Sequence, residues 1–230
     1  MVKLKGVLTM NLNIVEGYIE IEGKNKILIT ALHGFGSDRF KDVIDKIREL
    51  GLDYAFSELV PSRSAVDFLT WEIAFKAAVA TNSWAILPTI SKVDSVDGLE
   101  IPNYNLNKEY AKETPLWKRI GELVVKGKVK LIIDIHGMKN ISSWPDICVS
   151  TNGLSSASKN TISRVVKYFE KLKFNVALDK PFKGGALIRY FGKPPKVEAL
   201  GIELKRNLRF FKTNTPKIMA DLIRELSSEI

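Results

Sequence analysis

The stretch of sequence that decides the fold reads KLIIDIHG, residues 130–137, and residues 26–34 end in the same way with KILITALHG. Each is an apolar run of the length of a buried strand, closed by a histidine and a glycine. His33 and His136 are the only histidines in the chain. Ligands of open α/β sheets bind where parallel strands end. We therefore expect the two imidazoles to lie together at one edge of a sheet, in a position to bind a metal ion.

Helical and extended patterns alternate along the rest of the chain. The extended patterns are a hairpin over residues 6–22 and strands near 83–90, 175–178, 186–190 and 199–204, and the helical patterns lie near 40–50, 66–80, 116–125, 155–172 and 218–226. This alternation predicts an α/β fold with one domain over residues 1–230. We expect a three-layer sandwich, in which a mixed, mostly parallel sheet has helices on both faces. Residues 91–112 are polar and lack periodicity, which predicts a long surface loop.

The composition narrows the class of protein. The 230 residues carry 35 Lys and Arg against 26 Asp and Glu, a formal net charge of +9. The charge is scattered rather than gathered in a basic tail, which disfavours nucleic acid as the main partner and suits small anionic substrates. Cys148 is the only cysteine, so an intramolecular disulfide and a thiolate-rich zinc finger are excluded. The chain shows no signal sequence or membrane-length apolar run, so we expect a soluble, cytoplasmic protein without a membrane partner.

Acidic residues near the histidines are candidates to complete a metal site. A catalytic zinc ion takes three protein ligands, usually histidines with a carboxylate, and keeps one position for water. His33 and His136 would supply two ligands, and either Asp67 or Glu72, which flank a Thr-Trp pair, could supply the third. Asp134 lies two residues before His136, on the same side of a regular strand. It could accept a hydrogen bond that orients the imidazole of His136, or it could ligate the ion directly.

Three blocks in the last third of the chain carry a family resemblance. They read PFKGG at residues 181–185, IRYFGKP at 188–194 and GIELKRNL at 201–208. Together with Asp134-Ile135-His136 and His33-Gly34, they resemble the N-formylglutamate amidohydrolase family in order and spacing. That family is related in fold to zinc carboxypeptidases and aspartoacylases. The resemblance implies a phosphorylase/hydrolase-like sandwich with one zinc ion, which hydrolyses the amide bond of an N-acyl amino acid.

The resemblance also implies roles for single residues. It makes His33, His136 and Asp67 the zinc ligands and Glu203 the general base, whereas the residues alone also allow Glu203 an ion pair with a neighbouring cation. Arg189 and Arg206 become candidates for holding the substrate carboxylate.

Departures from the family pattern bear on the substrate rather than on the metal. The family usually has Asn where this chain has Asp179, and its first histidine is usually followed by Ser-Gly rather than by Gly34-Phe35-Gly36. Gly184-Gly185 lacks the spacing of a nucleotide-binding loop. It indicates either a close approach of the backbone to the substrate or an ordinary turn.

The residues and the family resemblance together predict a zinc-dependent amidohydrolase for a carboxylate-bearing N-acyl amino acid similar to N-formylglutamate. In this chemistry zinc activates water and polarises the carbonyl, and Glu203 moves the proton. One alternative is a zinc carboxypeptidase-like peptidase or deacylase that uses the same residues. Another is a non-catalytic basic binding protein whose histidines are structural.

Overall fold

The computed structural model describes residues 11–15, 17–35, 67, 69–90, 105–209, 214–228 and 230. The predicted helix over residues 40–50, the start of the predicted hairpin at 6–10, and residues 91–104 of the predicted loop lie outside the described residues. Within the described ranges, no helix is both long and apolar enough to cross a lipid bilayer.

The described strands form a single sheet. Their bounds in chain order are β1 Leu12–Val15, β2 Tyr18–Ile21, β3 Ile27–Thr30, β4 Trp84–Pro88, β5 Leu131–Met138, β6 Ile147–Ser150, β7 Val176–Leu178 and β8 Glu198–Lys205. The spatial order of these eight strands is β1-β2-β4-β3-β5-β8-β6-β7.

Parallel strands occupy the middle of the sheet. β4, β3, β5 and β8 run in one direction, so their carboxyl ends meet at one edge. β1 and β2 form a hairpin through Gly17, whose φ of 85° glycine adopts without strain, and β2 runs antiparallel to β4. At the other side β6 runs antiparallel to β8, and β7 runs parallel to β6. The predicted mixed sheet is confirmed.

Helices cover both faces of the sheet, so the predicted sandwich is confirmed as well. Their bounds are α1 Thr70–Thr81, α2 Pro115–Val125, α3 Lys159–Lys171, α4 Ala186–Phe191 and α5 Thr215–Ser227, with 3-10 turns at Glu109–Glu113 and Arg206–Arg209. Successive residues of β5 point to opposite faces. Ile133 and Ile135 join a core with α1, α3 and α5, whereas Ile132 joins a second core with α2 and α4.

Capping residues fix where two of these helices begin. The Thr114 hydroxyl accepts a hydrogen bond from the Trp117 amide at 3.4 Å, and Pro115 occupies the first position of α2, where its missing N–H costs nothing. The Ser158 hydroxyl caps α3 in the same way, accepting from the Thr161 amide at 3.2 Å.

Two segments differ from the predictions made from the sequence. The extended conformation predicted for residues 186–190 is wrong, because they form α4. Six residues are too few to show a helical period, and burial of its apolar side chains in the second core decides the conformation. β6 was not predicted, since it is buried on both faces and shows no alternation of polar and apolar residues. The described end of the predicted surface loop, residues 105–112, buries Leu106 and Ala111 completely.

Candidate metal centre

The parallel pairing of β3, β5 and β8 brings both histidines and Glu203 to one edge of the sheet. Thr30 pairs with Asp134, and His136 pairs with Glu203. His33 lies in the turn that follows β3. The centroids of the two imidazole rings are 5.0 Å apart. The proximity expected from the strand ends is therefore found.

Asp67 lies between the two imidazoles. Its Oδ2 is 2.9 Å from Nδ1 of His136 and 3.7 Å from Nδ1 of His33. Its backbone amide donates to the carbonyl oxygen of His33 at 2.8 Å, which holds the aspartate beside the turn. Ligand atoms from these three residues lie within 4.8 Å of one another, a group that could hold a metal ion.

The remaining nitrogen of each imidazole has its own oxygen partner. Nε2 of His136 is 2.6 Å from Oδ2 of Asp134, and Nε2 of His33 is 2.8 Å from Oδ1 of Asn105. An imidazole that donates its Nε2 proton to such an oxygen keeps the Nδ1 lone pair for a metal. Both Nδ1 atoms face Asp67. Two imidazole nitrogens and one carboxylate, each backed by a polar partner, are a donor set that suits zinc.

Asp134 is fully buried, and its second oxygen is also bonded. Oδ1 accepts a hydrogen bond from the Leu32 amide at 3.3 Å, one residue before His33. The carboxylate thus touches one histidine directly and fixes the backbone next to the other. From this position Asp134 could orient the imidazole of His136, which is one of the two roles predicted for it.

The charges of the site depend strongly on one another. Burial would raise the pKa of Asp67, but hydrogen bonds from His136 and His33 outweigh it and hold the pKa well below its usual range. Burial would lower the pKa of His136, but the negative charges of Asp134 and Glu203 raise it well above its ordinary value. Without a metal, these negative charges therefore favour the cationic form of His136, in which both ring nitrogens carry a proton. A cation that binds at Nδ1 would displace the proton of that nitrogen.

Glu203 lies on β8 beside His136 and is 8% exposed. Burial, assisted by the carboxylates of Asp67 and Asp134, raises its pKa to about 7, against the lowering influence of His136 and Arg209. A carboxyl group that titrates near neutral pH can both accept and return a proton. Its position beside His136 and its raised pKa therefore make Glu203 a candidate general base.

Both glycines that follow the histidines make room for a close contact. A Cβ on Gly34 would lie 2.6 Å from the backbone nitrogen of Trp71, at the start of α1. A Cβ on Gly137 would overlap the guanidinium group of Arg209. Arg209 is only 7% exposed, and its Nη2 donates to the carbonyl oxygen of Met138 at 3.2 Å.

Not every residue singled out from the sequence lies in this group. Glu72, the alternative third ligand, forms an ion pair with Lys76 one turn further along α1. Arg189 is exposed on α4, where it donates to the carbonyl oxygen of Gly184 at 3.2 Å and lies 3.4 Å from Glu109. Neither of these contacts joins Arg189 to the His33–Asp67–His136 group.

The other sequence candidates lie around the rim. Arg206 begins the 3-10 turn after β8, half-buried, and its charge lowers the pKa of Arg209. Gly184 has a φ of 103°, as a turn requires. Gly185 leaves space for the side chain of Asn107, so the close approach here is to a side chain of the protein. Asp179 accepts hydrogen bonds from Thr151 and Gly153.

Sequence reasoning missed Asn105 and Arg209. Asn105 lies within the unperiodic segment 91–112, and no local pattern links it to His33. A signal for Arg209 did exist: the glycine after His136 indicates that a group lies against the backbone there. The sequence does not show which group that is, because the contact spans more than 70 residues.

Comparison with known proteins supports the family resemblance. The model of the N-formylglutamate amidohydrolase family matches residues 114–209, which confirms the resemblance over the part of the chain that holds His136 and Glu203. No curated protein matches the sequence.

Solved structures share the fold at low sequence identity. An N-formylglutamate amidohydrolase from Ralstonia eutropha JMP134 superposes with a TM-score of 0.65 at 12% identity, over 94% of this chain and 99% of that one. A gene product from Agrobacterium tumefaciens gives 0.62 at 14%, over 93% and 92%. A bacteriophage poly-gamma-glutamate hydrolase gives 0.51 at 11%, over 93% and 89%. The architecture of this chain is thus shared with these three structures.

Proposed function

We propose that this protein is a zinc-dependent amidohydrolase that cleaves the amide bond of a carboxylate-bearing N-acyl amino acid, with N-formyl-L-glutamate as the first candidate substrate. One observation carries the proposal: a His33–Asp67–His136 group lies beside a buried glutamate whose pKa is near 7. The match of residues 114–209 to the amidohydrolase family supports the reaction type. The net charge of +9 supports an anionic substrate.

The donor set supports zinc as the ion. Nδ1 of His33, Nδ1 of His136 and a carboxylate oxygen of Asp67 would hold it, which leaves a position open as in catalytic zinc sites. Asp134 and Asn105 would keep both imidazoles in the tautomer that offers Nδ1. When bound, zinc would lower the pKa of a water molecule and polarise the scissile carbonyl group.

Glu203 would carry the proton through the reaction. As a carboxylate it accepts a proton from the attacking water, and as a carboxylic acid it returns that proton to the leaving nitrogen. Burial and the neighbouring carboxylates raise its pKa to about 7, so both forms are accessible at neutral pH. The amide bond breaks, and the acyl group leaves as a carboxylic acid while the amine is released.

The first experiment measures metal in protein purified without added metal. We expect about one zinc ion per chain, lost from the His33→Ala, His136→Ala double variant. Asp67→Asn and Glu72→Gln form a matched pair, because both change an acid near the start of α1. Asp67→Asn should lose zinc and Glu72→Gln should keep it. A wild-type protein without metal would refute the proposal, and loss of zinc from Glu72→Gln alone would refute the ligand set.

The second experiment measures release of amine from N-formyl-L-glutamate. We expect turnover that a chelator abolishes and added zinc restores. A dipeptide and an acetylated amino acid serve as comparison substrates, because a peptidase or deacylase would use the same residues. A zinc-loaded protein that releases no amine from any of the three would be a binding protein rather than an enzyme.

A further inference from the structure

Lysines are concentrated where the parallel strands begin, at the edge of the sheet opposite to the candidate metal centre. Three loops at this edge, residues 22–26, 127–130 and 192–197, lead into β3, β5 and β8. The loops contain six lysines and one glutamate, Glu22, and β8 begins with the half-buried Glu198. We call the six lysines together the lysine edge: Lys24, Lys26, Lys128, Lys130, Lys193 and Lys196.

Hydrogen bonds between the loops hold the lysine edge together. The backbone amide of Lys130 donates to the carbonyl oxygen of Lys26 at 2.8 Å, and Nζ of Lys130 is 3.5 Å from the carbonyl oxygen of Lys196. Ile27 pairs with Leu131, so Lys26 and Lys130 lie beside each other on strands spaced by about 4.8 Å. The fold thus gathers at one edge charges that look scattered along the sequence.

The charges of the lysine edge are open to solvent and are not compensated by neighbouring acids. All six side chains are exposed. Within the part of the chain that the structure describes, none of them has a carboxylate oxygen within 4.0 Å. Lys76 and Lys118, by contrast, form ion pairs on their helices. Like charges held close together repel one another, so a bound polyanion would be stabilised at the lysine edge.

The composition of the three loops distinguishes between classes of anionic partner. They contain no aromatic residue and no arginine. Protein interfaces are enriched in both and depleted in lysine. Proteins that bind single-stranded nucleic acids stack bases on aromatic side chains, and surfaces that bind membranes insert large apolar ones. The phosphates of a duplex require only positive charge, so a duplex fits these loops best.

We propose that the lysine edge binds the phosphate backbone of a nucleic-acid duplex without reading its base sequence. Each ammonium group binds a phosphate as a point charge on a flexible stem, so no exact register between protein and duplex is required. The proposal goes beyond the proposed function and does not depend on it, because the two surfaces lie at opposite edges of the sheet. A bound duplex would leave the candidate metal centre accessible to a small substrate.

The experiment measures binding of the full chain to a fluorescein-labelled DNA duplex of about 20 base pairs by fluorescence anisotropy. With about four phosphate contacts, the logarithm of the affinity should fall with the logarithm of the salt concentration at a slope of about −4. The Kd should therefore rise roughly 100- to 200-fold between about 50 and 200 mM salt. Two duplexes of different base sequence should differ in Kd by about twofold at most, since no base edge is read.

Two triple variants separate the lysine edge from the net charge of the protein. Replacing Lys26, Lys130 and Lys196 with Gln should weaken binding roughly tenfold or more and reduce the steepness of the slope by about 3, one unit for each lysine. The control replaces three other exposed lysines with Gln, in α3 and directly after it. It removes the same charge and should leave the slope unchanged; its positions are Lys167, Lys171 and Lys173.

Three results would overturn the proposal. The first is equal weakening in both triple variants, because binding would then depend only on net charge. The second is a clear preference for one base sequence. The third is no binding to the duplex at low salt, with or without binding to phosphatidylserine vesicles. If the first triple variant does not fold, as judged by thermal melting, Lys130→Gln replaces it, with an expected reduction in slope of about 1.

Discussion

Two buried glutamates of the same sheet show how differently a fold can treat one side chain. Glu20 on β2 is 4% exposed, and Glu203 on β8 is 8% exposed. Arg119 of α2 satisfies Glu20 with two hydrogen bonds, at 2.6 Å from Nε and 2.9 Å from Nη2. Glu203 lies instead among further carboxylates, and its pKa rises to about 7.

The two glutamates differ in how the surrounding residues compensate their negative charge. A bidentate ion pair such as Glu20–Arg119 compensates its own charges and needs no other partner. Among the residues that the structure describes, Glu203 forms no such bidentate pair, and the charges of His136 and Arg209 only partly offset the burial that raises its pKa. Carboxyl groups with perturbed pKa values are concentrated at functional sites, and this one lies beside a group of two histidines and an aspartate that could hold a metal ion. We call the edge that carries Glu203, His33, His136 and Asp67 the metal edge.

The largest expected effect is on turnover. Glu203→Gln should lower kcat by roughly 10²- to 10⁴-fold, because an amide cannot accept the proton of water. Glu20→Gln should leave kcat unchanged, since Glu20 lies outside the metal edge. The measurement is amine release by zinc-loaded protein, with zinc content as the control. Equal losses of kcat in the two variants would mean that the two glutamates do not differ in their effect on turnover.

A pH-dependent change in stability is the next largest effect. The pKa of Glu203 is about 7 in the folded state against 4.5 for the free group, so the folded protein binds this proton more tightly. Its contribution to stability is present below pH 4.5 and is lost as the pH rises to 7. Metal-free Glu203→Gln should therefore be more stable than wild type by about 3 kcal/mol at pH 8 and equal to it at pH 4. Urea unfolding with a chelator, at both pH values, checks this; a gain that is the same at pH 4 would contradict it.

Glu20→Gln should change the stability of the protein at pH 8 in the opposite direction. It removes the carboxylate that accepts from Nε and Nη2 of Arg119, which leaves Glu122 as the remaining charged acceptor, and should destabilise the protein by about 2 kcal/mol. The same urea titration at pH 8 measures it. If both variants destabilise, Glu203 is a structural ion-pair member like Glu20.

The smallest expected effect tests the hydrogen bond behind His33. Asn105→Ala removes the acceptor of Nε2 and should raise the dissociation constant for zinc about tenfold. Asn25→Ala is the matched control on the side away from the metal edge, where Asn25 donates to Ser83 at 2.8 Å. It should alter stability and leave zinc affinity unchanged, as competition with a chromophoric chelator would show.

The sequence predicted the proximity of the two histidines better than it predicted the residues around them. His33 and His136 end two apolar runs, and parallel strands must bring such ends together, so local pattern and topology gave the same answer. Contacts between distant segments place the 3-10 turn that carries Arg209, and they also place the side-chain amide of Asn105. The conformation of α4 was missed for a related reason, since burial against the second core outweighs a six-residue pattern.

One consequence of the parallel pairing concerns how the site selects its ion. Neighbouring strands of a sheet are spaced by about 4.8 Å, close to the 5.0 Å between the two imidazole centroids. The bond from the Leu32 amide to Asp134 fastens the turn of His33 to the strand of His136. Because His33 lies in the turn after β3, this bond and the pairing of β3 with β5 together hold the two imidazoles at that distance. The loss of entropy that ordering the two imidazoles requires occurs when the chain folds, so a cation would meet a preorganised gap and would be selected by how well its bond lengths fit that gap.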